Sequence, residues 1–284
     1  MAEHVRIFEM SPRDGLQNES RAVSTADKIA LVDLLSACGF DRIEVTSFVN
    51  PKAVPQMADA APVMAGIRRA PGVRYSALAP NMRGFDAALA AGADEVAVFA
   101  SASEGFSRAN INCSIAESID RFRPILAAAR KHGLPVRGYV SCAVVCPFDG
   151  PTPPAETARV AAILADAGCY EVSLGDTIGR ATPETTAAML DAVLDAVPPD
   201  RLAGHFHDTG GRALDNIALS LGRGLRCFDS SAGGLGGCPF APGASGNVAT
   251  EAVCAMLASE GYETGIDPGK LATAADFARS LRTD

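Results

Sequence analysis

Short β-branched runs alternate with Ala/Leu-rich stretches from one end of the chain to the other. The first kind of run reads as strand and the second as helix. Strands are predicted at Val5–Ser11, Arg42–Ser47, Arg74–Ala79, Glu95–Ala100, Val136–Ala143, Glu171–Asp176, Leu202–His207 and Cys227–Ala232. Helices are predicted near 25–38, 55–69, 82–91, 115–132, 155–167, 183–196, 212–222 and 248–259. Gly39, Gly92, Gly133, Gly168 and Gly222 stand where helix C-caps belong. Several lead into strands such as DRIEVTS (41–47), DEVAVFAS (94–101) and YEVSLGD (170–176). Eight strand–helix units without a linker, joined by right-handed crossovers, close into a parallel barrel. The expected architecture is therefore α/β, a single (β/α)8 TIM barrel over 1–284, with active-site loops at the C-terminal ends of the strands.

In such a barrel, chemistry gathers where strands end and the following loops begin. Those positions hold Glu9, Arg13 and Asp14 after the first strand, Glu44 on the second and Asp176 ending the sixth. The seventh strand carries His205 and His207, and the loop after the eighth holds Cys238 and Asn247. Period-two alternation turns both imidazoles toward the barrel interior. Asp14 is near them because the seventh, eighth and first strands are neighbours in a closed ring, and Asn247 could add an amide oxygen. Two imidazoles, one carboxylate and one amide oxygen suit a divalent cation, with Mg2+ or Mn2+ favoured by the mixed O/N set. Zn2+, Co2+ and Fe2+ are compatible with the same ligand types. Glu44 and Asp176 fit positions behind the ligands, where they would orient them; Glu9 is grouped with Asp176 in that role.

Composition narrows the class. The chain is 48% hydrophobic and 20% charged, which excludes a disordered or fibrous protein. A net charge of −8 argues against a general nucleic-acid-binding surface. The uncharged stretch Ser230–Thr250 is broken by glycines, Pro239 and Pro242 and reads as loop rather than membrane span. Glu3 and Glu9 with no apolar run between argue against a secretory signal. The eight cysteines lack CxxC spacing, so reduced thiols in a cytoplasmic enzyme are expected.

The segment EMSPRDGLQNE (9–19) resembles the opening motif of hydroxymethylglutaryl-CoA lyases, within the DRE-TIM metallolyases. So do IEVTSFVNPKAVPQM (43–57), NINCSI (110–115), RGYVSCA (137–143), YEVSLGDTIG (170–179), HFHDT (205–209) and GLGGCPFAPGASGNVATE (234–251), in order along nearly the whole chain. The resemblance implies cleavage of an acyl-CoA thioester, 3-hydroxy-3-methylglutaryl-CoA or a close homologue, to acetyl-CoA and acetoacetate. It implies metal ligation by Asp14, His205, His207 and Asn247, with Arg13 and Glu44 on the substrate side. Arg13 and Asp14 would take part in the reaction, and Cys238, flanked by Gly236, Gly237 and Pro239, would be the reactive thiol. Self-association is left open. The chain departs from the family pattern at HDTGGRALDN (207–216), where HDTYGQALAN is common, so Gly210 is expected to alter substrate range or merely to shape a turn. It departs again at Ala252, where Asp is frequent.

Three rival readings share parts of this pattern. Another DRE-TIM enzyme, an acyl-CoA condensing synthase or a pyruvate-releasing aldolase, would use the same metal site. A Schiff-base aldolase needs a strand-end lysine, and Lys28, Lys52, Lys131 and Lys270 all lie outside the strands. A non-enzymatic barrel would have no use for the full set of site residues.

Overall fold

The computed structural model describes residues 2–236 and 246–282. Its eight barrel strands are β1 (Arg6–Glu9), β2 (Arg42–Ser47), β3 (Arg74–Leu78), β4 (Glu95–Ser101), β5 (Val136–Ser141), β6 (Glu171–Asp176), β7 (Leu202–Phe206) and β8 (Cys227–Ser230). They close in the ring order β1-β8-β7-β6-β5-β4-β3-β2, and each neighbouring pair is parallel. The predicted (β/α)8 barrel is thus the fold.

Several strands stop short of their predicted ends, each for a local reason. After β1, Ser11–Gly15 forms a π-helical turn with Pro12 near its start. β5 ends before Cys142, whose φ of 56° lies in the left-handed region. His207 and Ser231 continue past β7 and β8 only as isolated bridges, to Asn247 and Ala249. These departures all fall at the C-terminal ends of the strands, where backbone must leave the sheet to present side chains.

The helices are α1 (Thr25–Ser36), α2 (Ala60–Gly66), α3 (Met82–Ala90), α4 (Glu104–Ile111), α5 (Ile115–His132), α6 (Pro154–Ala167), α7 (Pro183–Leu194), α8 (Ala213–Gly222), α9 (Thr250–Ser259) and α10 (Pro268–Ser280). Helix α5 starts at a reciprocal cap between Ser114 and Glu117 and stops at left-handed Gly133. Gly222 does not cap; it is the last residue of α8, and Gly224 takes the positive φ. Helices α4 and α10 and a small hairpin pairing Val145–Cys146 with Gly150–Pro151 were not foreseen. Among the described residues, no helix is long and apolar enough to cross a membrane.

Burial divides into two layers. Between strands and helices lies one large apolar cluster, including Ile7, Val45, Val98, Val140, Leu174, Phe206 and Phe228. Inside the ring the apolar cluster is small, Phe8, Met10, Leu78, Ala97 and Tyr139. The rest of the interior is polar, with charge at its centre. Arg137 is fully buried and grips Asp229 through two nitrogens, at 2.7 and 3.0 Å. Its Nε donates to Glu171 at 2.8 Å, and its guanidinium lies 4.3 Å from the centre of the Phe8 ring. Removing one partner of such a pair strands the other charge, typically a loss of about 3–5 kcal/mol.

Candidate metal centre

The turn after β1 turns Arg13 and Asp14 toward the barrel mouth. It can do so because Gly15 lets the β8 loop pass close by: a Cβ at Gly15 would stand 2.8 Å from the Leu235 Cβ and 2.9 Å from the Ser231 Oγ. Two strands along the ring, at the end of β7, His205 and His207 lie together with ring centres 5.4 Å apart. Their Nε2 atoms lie 3.8 and 3.9 Å from Asp14 Oδ2. That is too long for hydrogen bonding and suits donors that share a common ion with bonds near 2.0–2.2 Å. One ligand atom from each of Asp14, His205 and His207 falls within 4.8 Å of the others.

Asn247 reaches the same cluster with the opposite atom to that expected. Its amide nitrogen donates to Asp14 Oδ2 at 2.8 Å and to the Leu235 carbonyl at 3.2 Å. Ligation through oxygen requires the amide to turn over. The loop backbone comes close here too, since a Cβ at Gly236, where φ is +106°, would sit 2.6 Å from Asn247 Nδ2.

Arg13 donates through Nε to Glu44 at 2.5 Å and through Nη1 to Asp14 at 2.6 Å. Glu44 is completely buried, and its second oxygen accepts from the Tyr139 hydroxyl at 3.2 Å. With both oxygens engaged, Glu44 holds the Arg13 guanidinium in place at the barrel mouth.

Two further carboxylates have partners of their own. Glu9 shares the outward face of β1 with Ile7, as period-two alternation demands. It accepts from the Ser11 and Ala232 backbone N–H groups at 2.9 and 3.0 Å and from the Thr250 hydroxyl at 2.7 Å. It therefore ties the turn that carries Asp14 to the backbone at Ala232 and to Thr250. Asp176 accepts the backbone N–H groups of Arg180 and Ala181 at 3.1 and 2.9 Å, fixing the turn after β6.

The electrostatics follow from burial and neighbours. For Asp14, burial opposes ionisation, but Arg13 and then the two imidazoles hold its carboxyl down at about 2. His207 is pushed down to about 4, first by burial and then by His205, so it is a free base at neutral pH. For His205, burial acts downward, yet the hydrogen bond and charge of Asp229 carry it above the ordinary value. Burial raises Glu44 despite Arg13.

Asp229, Arg137 and Tyr139 escaped the sequence reading. The signal was there: a charged residue in the middle of an apolar strand, on the face that alternation turns inward. Cys238 lies outside the described residues. Gly210 is exposed; its N–H donates to the Gly179 carbonyl at 3.0 Å, and a Cβ there would meet that oxygen at 2.8 Å. Of the two roles considered for it, the geometry supports the turn.

Fold and site together define a parallel-barrel protein with an Arg–Asp–His–His cluster at the C-terminal mouth. Residues 4–278 match the family model described as HMGL-like, and the chain belongs to that family. A curated relative from Pseudomonas aeruginosa, named 3-hydroxy-3-isohexenylglutaryl-CoA/hydroxy-methylglutaryl-CoA lyase, is 58% identical over 267 residues, 94% of this chain and 89% of its own length. The chain is similar throughout to the crystal structure of the HMG-CoA lyase from Brucella melitensis, at 66% identity, TM-score 0.99 and full coverage of both chains. It is also similar to an HMG-CoA lyase from Acinetobacter baumannii solved with coenzyme A and 3-methylmalate, at 37% identity and TM-score 0.92, over 98% of this chain and 91% of that one.

Proposed function

We propose that this chain is a metal-dependent carbon–carbon lyase. Its substrate would be 3-hydroxy-3-methylglutaryl-CoA or a close 3-hydroxy-3-alkyl homologue, and its products acetyl-CoA and acetoacetate or the matching 3-oxo acid. The observation that carries this reading is the meeting of Arg13, Asp14, His205 and His207 at one barrel mouth. Kinship with HMG-CoA lyases, one of them solved with coenzyme A, supports the substrate class.

The donor set fits a divalent ion: an ionised carboxylate, a neutral His207 imidazole, His205 and, once turned, the Asn247 oxygen. Mg2+ and Mn2+ suit this mixture best. When bound, such an ion supplies Lewis-acid polarisation and a template for the substrate's hydroxyl and carboxylate oxygens.

The residues supply the remainder. Cleavage of the C2–C3 bond requires the 3-hydroxyl to lose its proton while the thioester takes up electrons. Asp14, held ionised by Arg13, and His207, held uncharged by burial, both stand at the mouth as acceptors for that proton. Arg13 stays cationic and planar, aimed by Glu44, and can steady negative charge on the thioester oxygen. On sequence grounds Cys238 is assigned the return of a proton to the enolate, a task suited to a thiol that is protonated at neutral pH. Buried, unpaired thiols among the described cysteines support a reducing, cytoplasmic setting.

The deciding experiment is mass detection of acetoacetate from the 3-hydroxy-3-methylglutaryl thioester, with Mn2+ and after chelation. The Pseudomonas relative's name makes a longer 3-alkyl thioester the proper second substrate. Release of acetoacetate without an added 2-oxo acid separates this lyase from condensing synthases and pyruvate-releasing aldolases. Failure to release it from any of these thioesters would end the proposal.

A further inference from the structure

Asp229 Oδ2 lies 3.1 Å from His205 Nδ1. The same oxygen accepts from the Ser173 hydroxyl at 2.7 Å and from Arg137 Nη1 at 3.0 Å. Oδ1 accepts from Arg137 Nη2 at 2.7 Å. A carboxylate held at both oxygens by a buried guanidinium is ionised, and an ionised carboxylate can only accept. The hydrogen between Asp229 and His205 must therefore sit on Nδ1. In the neutral ring that leaves the lone pair on Nε2, the atom that faces Asp14.

Strand register prepares this contact, because Asp229 on β8 pairs directly with His205 on β7. His207 supplies the contrast. Its Nδ1 is buried and has no hydrogen-bond partner among the described residues, so no such constraint on its tautomer is visible there.

We propose that Asp229 is a positioning residue that fixes His205 in its Nδ1–H tautomer, and that Arg137 acts through it. The barrel's central ion pair then serves the site above it as well as the fold. A histidine whose far nitrogen is held by a carboxylate is both oriented and made a stronger ligand. This inference rests on the cluster holding a divalent ion, as proposed above.

The test uses the full chain labelled with 15N-histidine at pH 8, with Mn2+ affinity followed by electron paramagnetic resonance. In wild type, His205 should show the Nδ1–H tautomer before any metal is added. Asp229→Asn, whose amide can donate as well as accept, should lose that single tautomer and bind Mn2+ about 10–100-fold more weakly. Arg137→Lys keeps the charge without the two-pronged grip and should weaken Mn2+ less; it serves if Asp229→Asn does not fold. An Nε2–H tautomer in wild type overturns the proposal without recourse to any variant. So does unchanged Mn2+ affinity in the folded variants. Wild type that binds no Mn2+ while showing the Nδ1–H tautomer would instead refute the metal reading, and the ligand role of His205 with it.

Discussion

The two buried layers of this barrel are built on opposite terms. The outer layer, between strands and helices, is continuous and apolar. The inner one is a lattice of charge, in which Arg137, Asp229, Glu171, Arg13 and Glu44 are each engaged by ion pairs. The outer layer loses free energy smoothly when a side chain shrinks, since dispersion and hydrophobic burial are sums of many small contacts. In the inner layer a single deletion strands a charge. The difference separates what holds the barrel together from what gives it chemistry, and variants in each layer should fail in different ways.

The largest effect is expected inside. His207→Ala should abolish divalent-metal binding and reduce turnover to background, with the thermal transition little changed. Full activity after exhaustive chelation would break the comparison outright. Next comes Cys238→Ser, which should preserve fold and metal affinity while slowing turnover by roughly 10²–10⁴-fold, the usual weight of a positioned acid. An unchanged rate in the serine enzyme would remove the thiol from the reaction.

The outer layer should show the reverse phenotype. Leu31 on α1 is fully buried within the apolar cluster, so Leu31→Ala should cost about 2–5 kcal/mol of stability. Urea unfolding measures that loss, and turnover per folded molecule should stay at the wild-type value. A stable but inactive Leu31→Ala protein would show that the layers are not separable.

The smallest effect belongs to neither layer. On the exposed hairpin, Asp149 accepts from the Ser103 hydroxyl and the Gly105 N–H at 2.6 and 2.7 Å, and these bonds hold its carboxyl below the ordinary value. A lowered native value means that its stabilisation is complete above the unfolded carboxyl's range and fades as pH falls through the native one. Wild type should therefore exceed Asp149→Asn slightly in urea midpoint at pH 7, with the gap narrowing as pH falls below the ordinary Asp range of about 3.9. A gap that widens in acid would contradict the assignment.

The outer layer is also the part that could be read from the chain. Its apolar residues set the strand and helix periods, so all eight barrel strands were located and only their ends moved. The inner layer was read in part. Arg13, Asp14, His205 and His207 stood in motifs at strand ends, and the structure brings them together. Asp229 and Arg137 stand out locally as inward charges on apolar strands, but their pairing is a contact 92 residues apart, which local pattern does not encode. The loop contacts of Glu9 went unread for a simpler reason. Strand alternation alone assigns it to the outer face, but proximity in sequence to Arg13 and Asp14 drew it toward the site. Helix α4 was masked by its turn-rich sequence, where Ser103 caps the start and left-handed Asn112 ends a helix of eight residues.

Closure of the ring has a consequence for how the protein comes into being. Asp14 and Asn247 are hydrogen-bonded neighbours 233 positions apart. At about 5–20 residues per second, synthesis separates their emergence by roughly 12–47 s. Through that interval the first strand lacks its partner β8, and its edge must be shielded or remain exposed to other chains. The cluster is complete only when the last strand arrives, so a prematurely terminated chain cannot assemble it. Metal capture by this site would then mark emergence of Asn247, and a pulse-labelled ribosome-bound chain should acquire Mn2+ affinity only after that residue has cleared the exit tunnel.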